Sequence, residues 1–325
     1  MTVLLFILAG MLIGLPCCVL VPRMLARGGY LDMPTARSSH VRPTPKGGGV
    51  GVVLAFAAGS LATDLPAALW VPAVILAALS FANDLRHVSA GIRLLAQIMA
   101  ATVTLGWAWW SGWLVWPGLL LGPAVFFVVA TTNCYNFMDG INGMAGLTGI
   151  VALTCLTAYS GATAPEPTLA TAMVIGAMSA FLPFNLPRAR LFLGDVGSIF
   201  LGFFFSVAAC LMAGSWTDFL VHVSFLFPFY ADEAATIVER LWRRESLLRP
   251  HRRHLYQFLA NEHGMAHWKV SAGYAAVQGL FAILVMHLAA HGWEAVVVAQ
   301  IVAFALWGCL HYRIKRHDFL SPKVV

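Results

Sequence analysis

Long apolar runs recur throughout this sequence, and they limit its fold more than any other feature does. Eleven of them approach the length of about 17 to 25 residues that an α-helix needs to cross a bilayer. They lie at residues 3–21, 48–63, 65–81, 94–110, 113–131, 144–161, 169–185, 196–213, 219–238, 270–290 and 295–311. The second run is the weakest, because it is short and opens on glycines.

The composition of the chain agrees with this interpretation. Of 325 residues, 60% are hydrophobic and only 10% are charged, and the mean hydropathy is +0.79. Such a chain is more apolar than a soluble core requires. We therefore expect an all-α, polytopic integral membrane protein with about 11 transmembrane helices, built as one membrane-embedded domain over residues 1–325. The lipid bilayer is an expected partner and nucleic acid is not.

The distribution of Lys and Arg predicts the orientation in the membrane, because cytoplasmic loops carry the excess of these residues. With the N-terminus outside and eleven crossings, all 20 Lys and Arg residues fall on the inner side. The charged residues of the outer loops are then all acidic, namely Asp64, Glu166, Asp218 and Glu294. The prediction is N-out and C-in, with cytoplasmic loops near residues 22–47, 82–93, 132–143, 186–195 and 239–269.

One inner segment, residues 131–146, is polar where its flanks are apolar. Asn133, Asn136, Asp139 and Asn142 recur every three residues, a spacing that places them on one side of a helix end. Turn chemistry alone also explains Asp-Gly and Asn-Gly pairs. The choice between a turn and a site depends on what else reaches the same face of the membrane.

Three aspartates reach that face. Asp84, Asp139 and Asp195 each lie at the inner boundary of a predicted span. Carboxylates at this depth are costly unless they are paired or bind a cation. Oxygen ligands without competing thiolates or imidazoles suit Mg²⁺, or alternatively Mn²⁺.

Two basic inner loops complete the candidate surface. The first ends in Lys46 and a glycine run before a helix, which suits a phosphate. The second, 239–269, mixes arginines with His251, His254, Tyr256 and Gln257, and this mixture suits a nucleotide diphosphate. The alternative for both loops is a basic surface that binds anionic lipid.

Taken in order, these segments resemble the polyprenyl-phosphate N-acetylhexosamine-1-phosphate transferases, of the glycosyltransferase family 4 type. The resemblance covers nearly the whole chain, and its motifs are 37–40, 43–49, Asn83-Asp84, 133–146, Phe184-Asn185, 192–198, Asp232 and the histidine loop. It implies a phosphotransferase on the cytoplasmic face of a bacterial inner membrane. The enzyme would transfer N-acetylhexosamine-1-phosphate from a UDP-sugar to undecaprenyl phosphate and release UMP, with Mg²⁺, to begin O-antigen or other cell-envelope glycan synthesis. The family also suggests a dimer.

The resemblance assigns roles residue by residue. Asp84, Asp139 and Asp195 would be catalytic, and Asp195 with Asn136 would hold the metal. Phe192 would stack on uracil. The substrate-binding set would be Lys46, Asn83, Asn133, Asn136, Asn185, Phe192, Gly194, Arg249, Arg252, Arg253 and His254.

The chain departs from the family pattern at four positions. Asn83 replaces the first acid of an Asp-Asp pair, Asn142 replaces a frequent Asp, and Tyr256 and Gln257 replace two histidines. Because an Asn cannot accept a proton, we expect direct attack by the lipid phosphate, with a covalent aspartyl route as the alternative. A homologue that binds substrates without turnover and a secondary transporter are two further alternatives. The sequence does not assign the donor sugar, although the loop form resembles that of enzymes for 6-deoxy sugars.

Overall fold

The computed structural model describes residues 1–34, 39, 41–86, 88–247 and 251–320. Within these residues the chain forms thirteen α-helices and one small sheet. The helices are α1 (Thr2–Arg27), α2 (Gly49–Ala62), α3 (Ala67–Leu85), α4 (Ala90–Trp110), α5 (Leu121–Met138), α6 (Met144–Ser160), α7 (Pro165–Asn185), α8 (Asp195–Leu211), α9 (Trp216–Ser224), α10 (Phe227–Trp242), α11 (Leu255–Asn261), α12 (His267–Leu288) and α13 (Trp293–Leu320). Short 3₁₀ helices cover Gly118–Leu120 and Ala289–His291.

The all-α, polytopic class predicted from the apolar runs is confirmed. Seven of the described helical segments are long and apolar enough to cross a membrane, and α2, α6 and α8 are shorter apolar helices. Many large apolar side chains on their outer faces are exposed, among them Phe126, Leu280 and Ile301. An exposed apolar surface of this extent fits contact with lipid.

The ninth predicted span is not one helix. Residues 219–238 are divided between α9 and α10, which are separated at Phe225 and Leu226. Pro228 lies in the first turn of α10, where its missing N–H breaks no helical hydrogen bond. Neither α9 nor α10 is among the helices long and apolar enough to cross a membrane, so the predicted continuous span at 219–238 is wrong.

Helix α8 lies at the centre of the bundle. Every residue from Val196 to Cys210 is buried. Close approach of its neighbours depends on glycines: a Cβ on Gly49 of α2 would lie 2.3 Å from the Cα of Gly197. Small residues at such contacts allow helices in lipid to pack backbone against backbone. The N-terminus of α8 is therefore fixed by close backbone packing against α2.

The sheet orders the first inner loop. Strand β1 (Leu31–Asp32) pairs antiparallel with β2 (Thr44–Pro45), with Asp32 opposite Thr44. This pairing brings Asp32 beside Lys46, and the two side chains form an ion pair at 3.2 Å. Arg37 and His40, which belong to the first motif, lie outside the described residues.

Candidate functional site

Helix α8 begins at the site, and a carboxylate from another helix caps it. The Asp84 side chain, at the end of α3, is 2% exposed and accepts hydrogen bonds from the backbone N–H groups of Asp195 and Val196, both at 3.1 Å. The preceding Gly194 has φ +78°, and a Cβ there would lie 2.7 Å from Asp84 Oδ2. Glycine is required at this position because both the backbone conformation and the space exclude a side chain.

The Asp195 carboxylate is surrounded by hydrogen-bond donors from three other helices. Asn83 Nδ2 of α3 donates at 2.7 Å, Asn136 Nδ2 of α5 at 3.3 Å, and the Arg93 guanidinium of α4 at 3.4 Å. Asn136 also donates to Ser198 Oγ at 2.8 Å. Four helix ends thus converge on one carboxylate, whose side chain is still 28% exposed.

Lys46 provides a fixed positive charge next to these acids. Its Nζ lies 3.2 Å from Asp32 Oδ1 and 4.0 Å from Asp84 Oδ1. Burial opposes the charge, but the carboxylates of Asp32, Asp84 and Asp195 outweigh it and raise the pKa of Lys46 above its ordinary value. The ammonium therefore stays charged at neutral pH.

Two of the three N–H groups of the glycine run after Lys46 are already hydrogen-bonded within the protein, so the run offers a phosphate less than the sequence suggested. The N–H of Gly48 donates to the Phe192 carbonyl and that of Gly49 to the Leu193 carbonyl, both at 2.9 Å. The N–H of Phe192 in turn donates to the Pro45 carbonyl at 2.9 Å. The run instead holds the segment that leads into Asp195.

Asp139 lies directly after α5, at the mouth of the same site. Burial is the main cause that raises its pKa from 3.8 to about 7, and the negative charges of Asp195 and Asp84 add to it. Carboxylates that repel one another in this way favour a cation between or near them. The surroundings of Asp139 therefore disfavour its negative charge.

A cleft of about 260 Å³ brings half of the predicted site residues together. Lys46, Asn136, Asp139, Asn185, Phe192, Gly194 and Asp195 line it. Asp84 and Asn83 lie immediately behind Asp195 and contact it directly. The Asn185 side chain forms hydrogen bonds inside the wall of the cleft. It accepts from the N–H of Gly143 and donates to the Leu191 carbonyl at 2.9 Å.

Asn133 is placed elsewhere. Its Nδ2 donates to Gln97 Oε1 at 2.6 Å and to the Val129 carbonyl at 2.8 Å, so it ties α5 to α4. Asn133 is not among the residues that line the cleft. The regular three-residue spacing therefore included one residue with a packing role.

Two residues of the histidine loop, Arg253 and His254, contact acidic side chains of the protein. The His254 side chain is 3% exposed and lies 3.6 Å from Glu233 and 3.9 Å from Asp232. Burial lowers the pKa of His254, so the ring is neutral at pH 7. Arg253 pairs with Glu245 at 2.6 Å. Neither of these residues lines the cleft, nor does Arg252, and Arg249 lies outside the described residues.

The structure adds residues that were not assigned individually to the site, although Gln257 belongs to the loop predicted to suit a nucleotide diphosphate. Asp32, Ser198, Gln257 and His267 line the cleft, and Arg93 binds Asp195. Ser198 lies inside the motif 192–198, and Arg93 is one of the basic residues used to predict the orientation in the membrane. The sequence therefore offered a reason to consider both residues. No such reason existed for His267, because its contact with the site comes from a distant part of the chain: its Nδ1 accepts from the N–H of Asn142 at 3.4 Å, 125 residues away.

The donor set fits Mg²⁺ if a substrate completes it. In the described part of the chain, no three Asp, Glu, His or Cys side chains are grouped closely enough to hold a metal by themselves. Mg²⁺ is commonly held by one or two carboxylates, with waters and substrate phosphates as the other ligands. Asp195, with the amide of Asn136 able to present its oxygen, meets that requirement.

Comparison with known proteins identifies similar chains. The sequence profile of glycosyl transferase family 4 matches residues 66–213. An undecaprenyl-phosphate alpha-N-acetylglucosaminyl 1-phosphate transferase of Thermotoga maritima is 30% identical over 250 residues, covering 74% of this chain and 75% of that protein. The decaprenyl-phosphate N-acetylglucosaminephosphotransferase of Mycobacterium tuberculosis strain H37Rv is 28% identical over 285 residues, covering 73% and 70%. A probable undecaprenyl-phosphate N-acetylglucosaminyl 1-phosphate transferase of Bacillus subtilis is 25% identical over 259 residues, covering 74% and 72%.

Proposed function

Because the chain belongs to glycosyl transferase family 4, in the group of polyprenyl-phosphate N-acetylhexosamine-1-phosphate transferases, we propose that it transfers N-acetylhexosamine-1-phosphate from a UDP-sugar to a polyprenyl phosphate. The observation that carries the proposal is the convergence of Asp195, Asp139 and Lys46 on one cleft at the ends of membrane helices. We place the reaction on the cytoplasmic face of a bacterial inner membrane, with undecaprenyl phosphate as acceptor, at the first lipid-linked step of O-antigen or envelope glycan synthesis. Dimerisation stays a prediction.

The chemistry of the proposal follows from charge. An oxygen of the lipid phosphate attacks the β-phosphorus of the UDP-sugar, a new P–O bond forms, and the bond to the bridging oxygen breaks so that UMP leaves with the electron pair. The second proton of a phosphate monoester is lost near pH 6, so the acceptor needs no general base at neutral pH. Asn83 can accept no proton, and this route does not require one there.

The main barrier is repulsion between the two anions, which amounts to about 4 kcal/mol for unit charges 4 Å apart at an effective dielectric near 20. Lys46 and Arg93 are the basic side chains placed to offset it. Bound Mg²⁺ would supply further neutralisation of the diphosphate. Asp195 and Asn136 are the residues proposed to hold the ion.

An apolar groove supports a lipid acceptor. It has a volume of about 530 Å³ and lies between α5, α9, α10, α12 and α13, with Phe126, Phe219 and Phe304 in its walls. Glu233 is the acid at its lining. An apolar groove of this kind fits a hydrocarbon chain better than a polar solute.

The proposal is tested with purified protein, undecaprenyl phosphate, Mg²⁺ and a panel of UDP-N-acetylhexosamines, by measuring UMP. We expect UMP release that depends on both lipid and donor. A binding protein without turnover is the second candidate, favoured by Asn83, whose N–H group faces Asp195 where the family has an acid. Donor binding without UMP release for any sugar would support that candidate instead.

A further inference from the structure

Helix α11, which carries the residues after His254, is held in place by one buried carboxylate. Asp232 accepts from the backbone N–H of Leu255 at 2.8 Å and of Tyr256 at 3.3 Å, and from the Tyr274 hydroxyl at 2.7 Å. Hydrogen bonds to an ionised acceptor are among the strongest in proteins. The first turn of α11 is therefore fixed relative to α10 and α12.

Tyr256 connects this helix to the cleft. The side chain is fully buried, and its hydroxyl donates to the Phe137 carbonyl at 2.9 Å. Gly140 packs against it so closely that a Cβ would lie 2.2 Å from the Tyr256 hydroxyl oxygen. Tyr256 thus positions the segment that contains Asp139.

Gln257 follows Tyr256 and lines the cleft. Its side chain interacts with the Tyr256 hydroxyl, and this contact occupies one end of the amide. Its Oε1 is buried and accepts no hydrogen bond from any residue that the structure describes. Buried acceptors are almost always satisfied, so an unsatisfied one in a cleft indicates a donor on a ligand.

The chemistry of Gln257 restricts what that ligand group can be. A carbonyl oxygen needs an N–H or O–H group, and the oxygens of an ionised diphosphate offer neither. In the proposed donor the uracil is assigned to Phe192. The remaining N–H and O–H groups are the two ribose hydroxyls and, in greater number, the acetamido N–H and the ring hydroxyls of the N-acetylhexosamine. Inhibition by UDP, which keeps the ribose and lacks the hexosamine, separates these two sources.

We propose that Gln257 is a specificity-determining residue that accepts a hydrogen bond from the sugar of the donor, and that Tyr256 positions it. This inference rests on the proposed function. It assigns roles to two residues that stand where the family has histidines. A neutral amide there replaces groups that can carry a positive charge, and a neutral acceptor suits a hydroxyl or an amide N–H.

The test compares wild type with Gln257→Ala by UMP release and by inhibition constants. The donors are UDP-N-acetylglucosamine, its 4-epimer, their 6-deoxy counterparts and UDP-glucose, with UDP as a sugar-free inhibitor. Loss of one hydrogen bond to a buried partner lowers kcat/KM for the preferred donor by roughly 5- to 150-fold. We expect the preference among sugars to shrink and the inhibition constant of UDP to stay unchanged.

Asn261→Ala is the matched control, since Asn261 is an amide on the same helix with a buried unpartnered atom among the described residues, outside the cleft. It should keep wild-type rates and preference. Gln257→Met, which keeps the side-chain length and removes the acceptor, gives the same test if the alanine variant folds poorly. Tyr256→Phe removes the hydroxyl that contacts both Gln257 and the Phe137 carbonyl. It should therefore lower the rate for all donors and also shrink the preference among sugars, as Gln257→Ala does.

Two results overturn the inference alone: a uniform loss for every donor with Gln257→Ala, or an equal weakening of UDP inhibition. A wild-type protein that neither releases UMP from, nor binds, any of these donors overturns the proposed function and the inference together. The two failures are therefore distinguished by the wild-type measurement.

Discussion

Asp84 accepts a hydrogen bond from the backbone N–H of Asp195 at 3.1 Å, although 111 residues separate them in sequence. Together with the bond from Val196, this makes the Asp84 carboxylate a cap for α8. A negative charge at a helix N-terminus is also favoured by the helix dipole. The retained acid of the family's Asp-Asp pair thus fixes the helix that carries Asp195.

Replacing Asp84 with Ala is expected to destabilise the protein by about 1–2 kcal/mol, as loss of a helix cap does. It should also lower UMP release by more than about tenfold, because a displacement of Asp195 by about 1 Å is enough to cost more than that in rate. Thermal unfolding in detergent and UMP release measure the two effects. Ser89→Ala removes the exposed cap of α4 as a control and should lower stability only. Wild-type activity in Asp84→Ala would contradict a positioning role.

Replacing Asp195 with Asn should abolish Mg²⁺-dependent UMP release while the protein stays folded. The reason is that Asp195 supplies the one carboxylate among the proposed metal ligands, and Mg²⁺ is commonly held by at least one carboxylate. Glu166→Gln, at an exposed outer acid, should retain wild-type turnover. Near-normal activity in Asp195→Asn would remove this residue from the site.

Restoring the family's acid with Asn83→Asp should make stability dependent on Mg²⁺. Asn83 Nδ2 donates to Asp195 Oδ2 at 2.7 Å, and a carboxylate there would replace this bond with repulsion. In EDTA we expect a lower melting temperature than wild type, and a smaller difference when Mg²⁺ is added. An equal difference in both buffers would argue against a cation at Asp195.

The pKa of Asp139 predicts a pH dependence of stability. The folded value of about 7 lies above the ordinary 3.8, so the folded state binds more protons between these values. Stability should therefore fall as pH rises from 3.8 to about 7 and then level off. Asp139→Asn has no carboxyl group at this position and does not ionise there. In metal-free buffer, the melting temperature of the variant relative to that of wild type should therefore rise as pH increases over the same range. Parallel curves for the two proteins would show that Asp139 does not titrate there.

Gly140→Ala should destabilise the protein by about 1–3 kcal/mol through overpacking. The added Cβ meets the Tyr256 hydroxyl oxygen at 2.2 Å and the ring carbon Cζ at 3.0 Å. Combining it with Tyr256→Phe removes the first contact. The double variant should therefore lose less stability than the sum of the losses in the two single variants. Strict additivity in a double-mutant cycle would mean that the two residues do not press on each other.

Much of the site was predictable because its residues stand at the inner ends of apolar runs. Positive-inside counting placed Asp84, Asp139 and Asp195 at one level, and the structure brings all three to the same cleft or its wall. The broken ninth span was missed because apolar content predicts a crossing but not its continuity. The glycine run was misread because its partner carbonyls, of Phe192 and Leu193, are distant in sequence.

The sequence by itself determined the class of this protein and predicted which acids stand at the ends of its apolar segments, because bilayer thickness and charge bias act on each segment separately. Only the tertiary structure decided which residues do what within that set. Hydrogen bonds between segments made Asp84 a cap, turned Asn133 toward Gln97, buried His254 and left Gln257 facing the cleft. Such roles depend on the direction of a side chain relative to partners far away in the chain, and helical spacing alone carries no information about those partners.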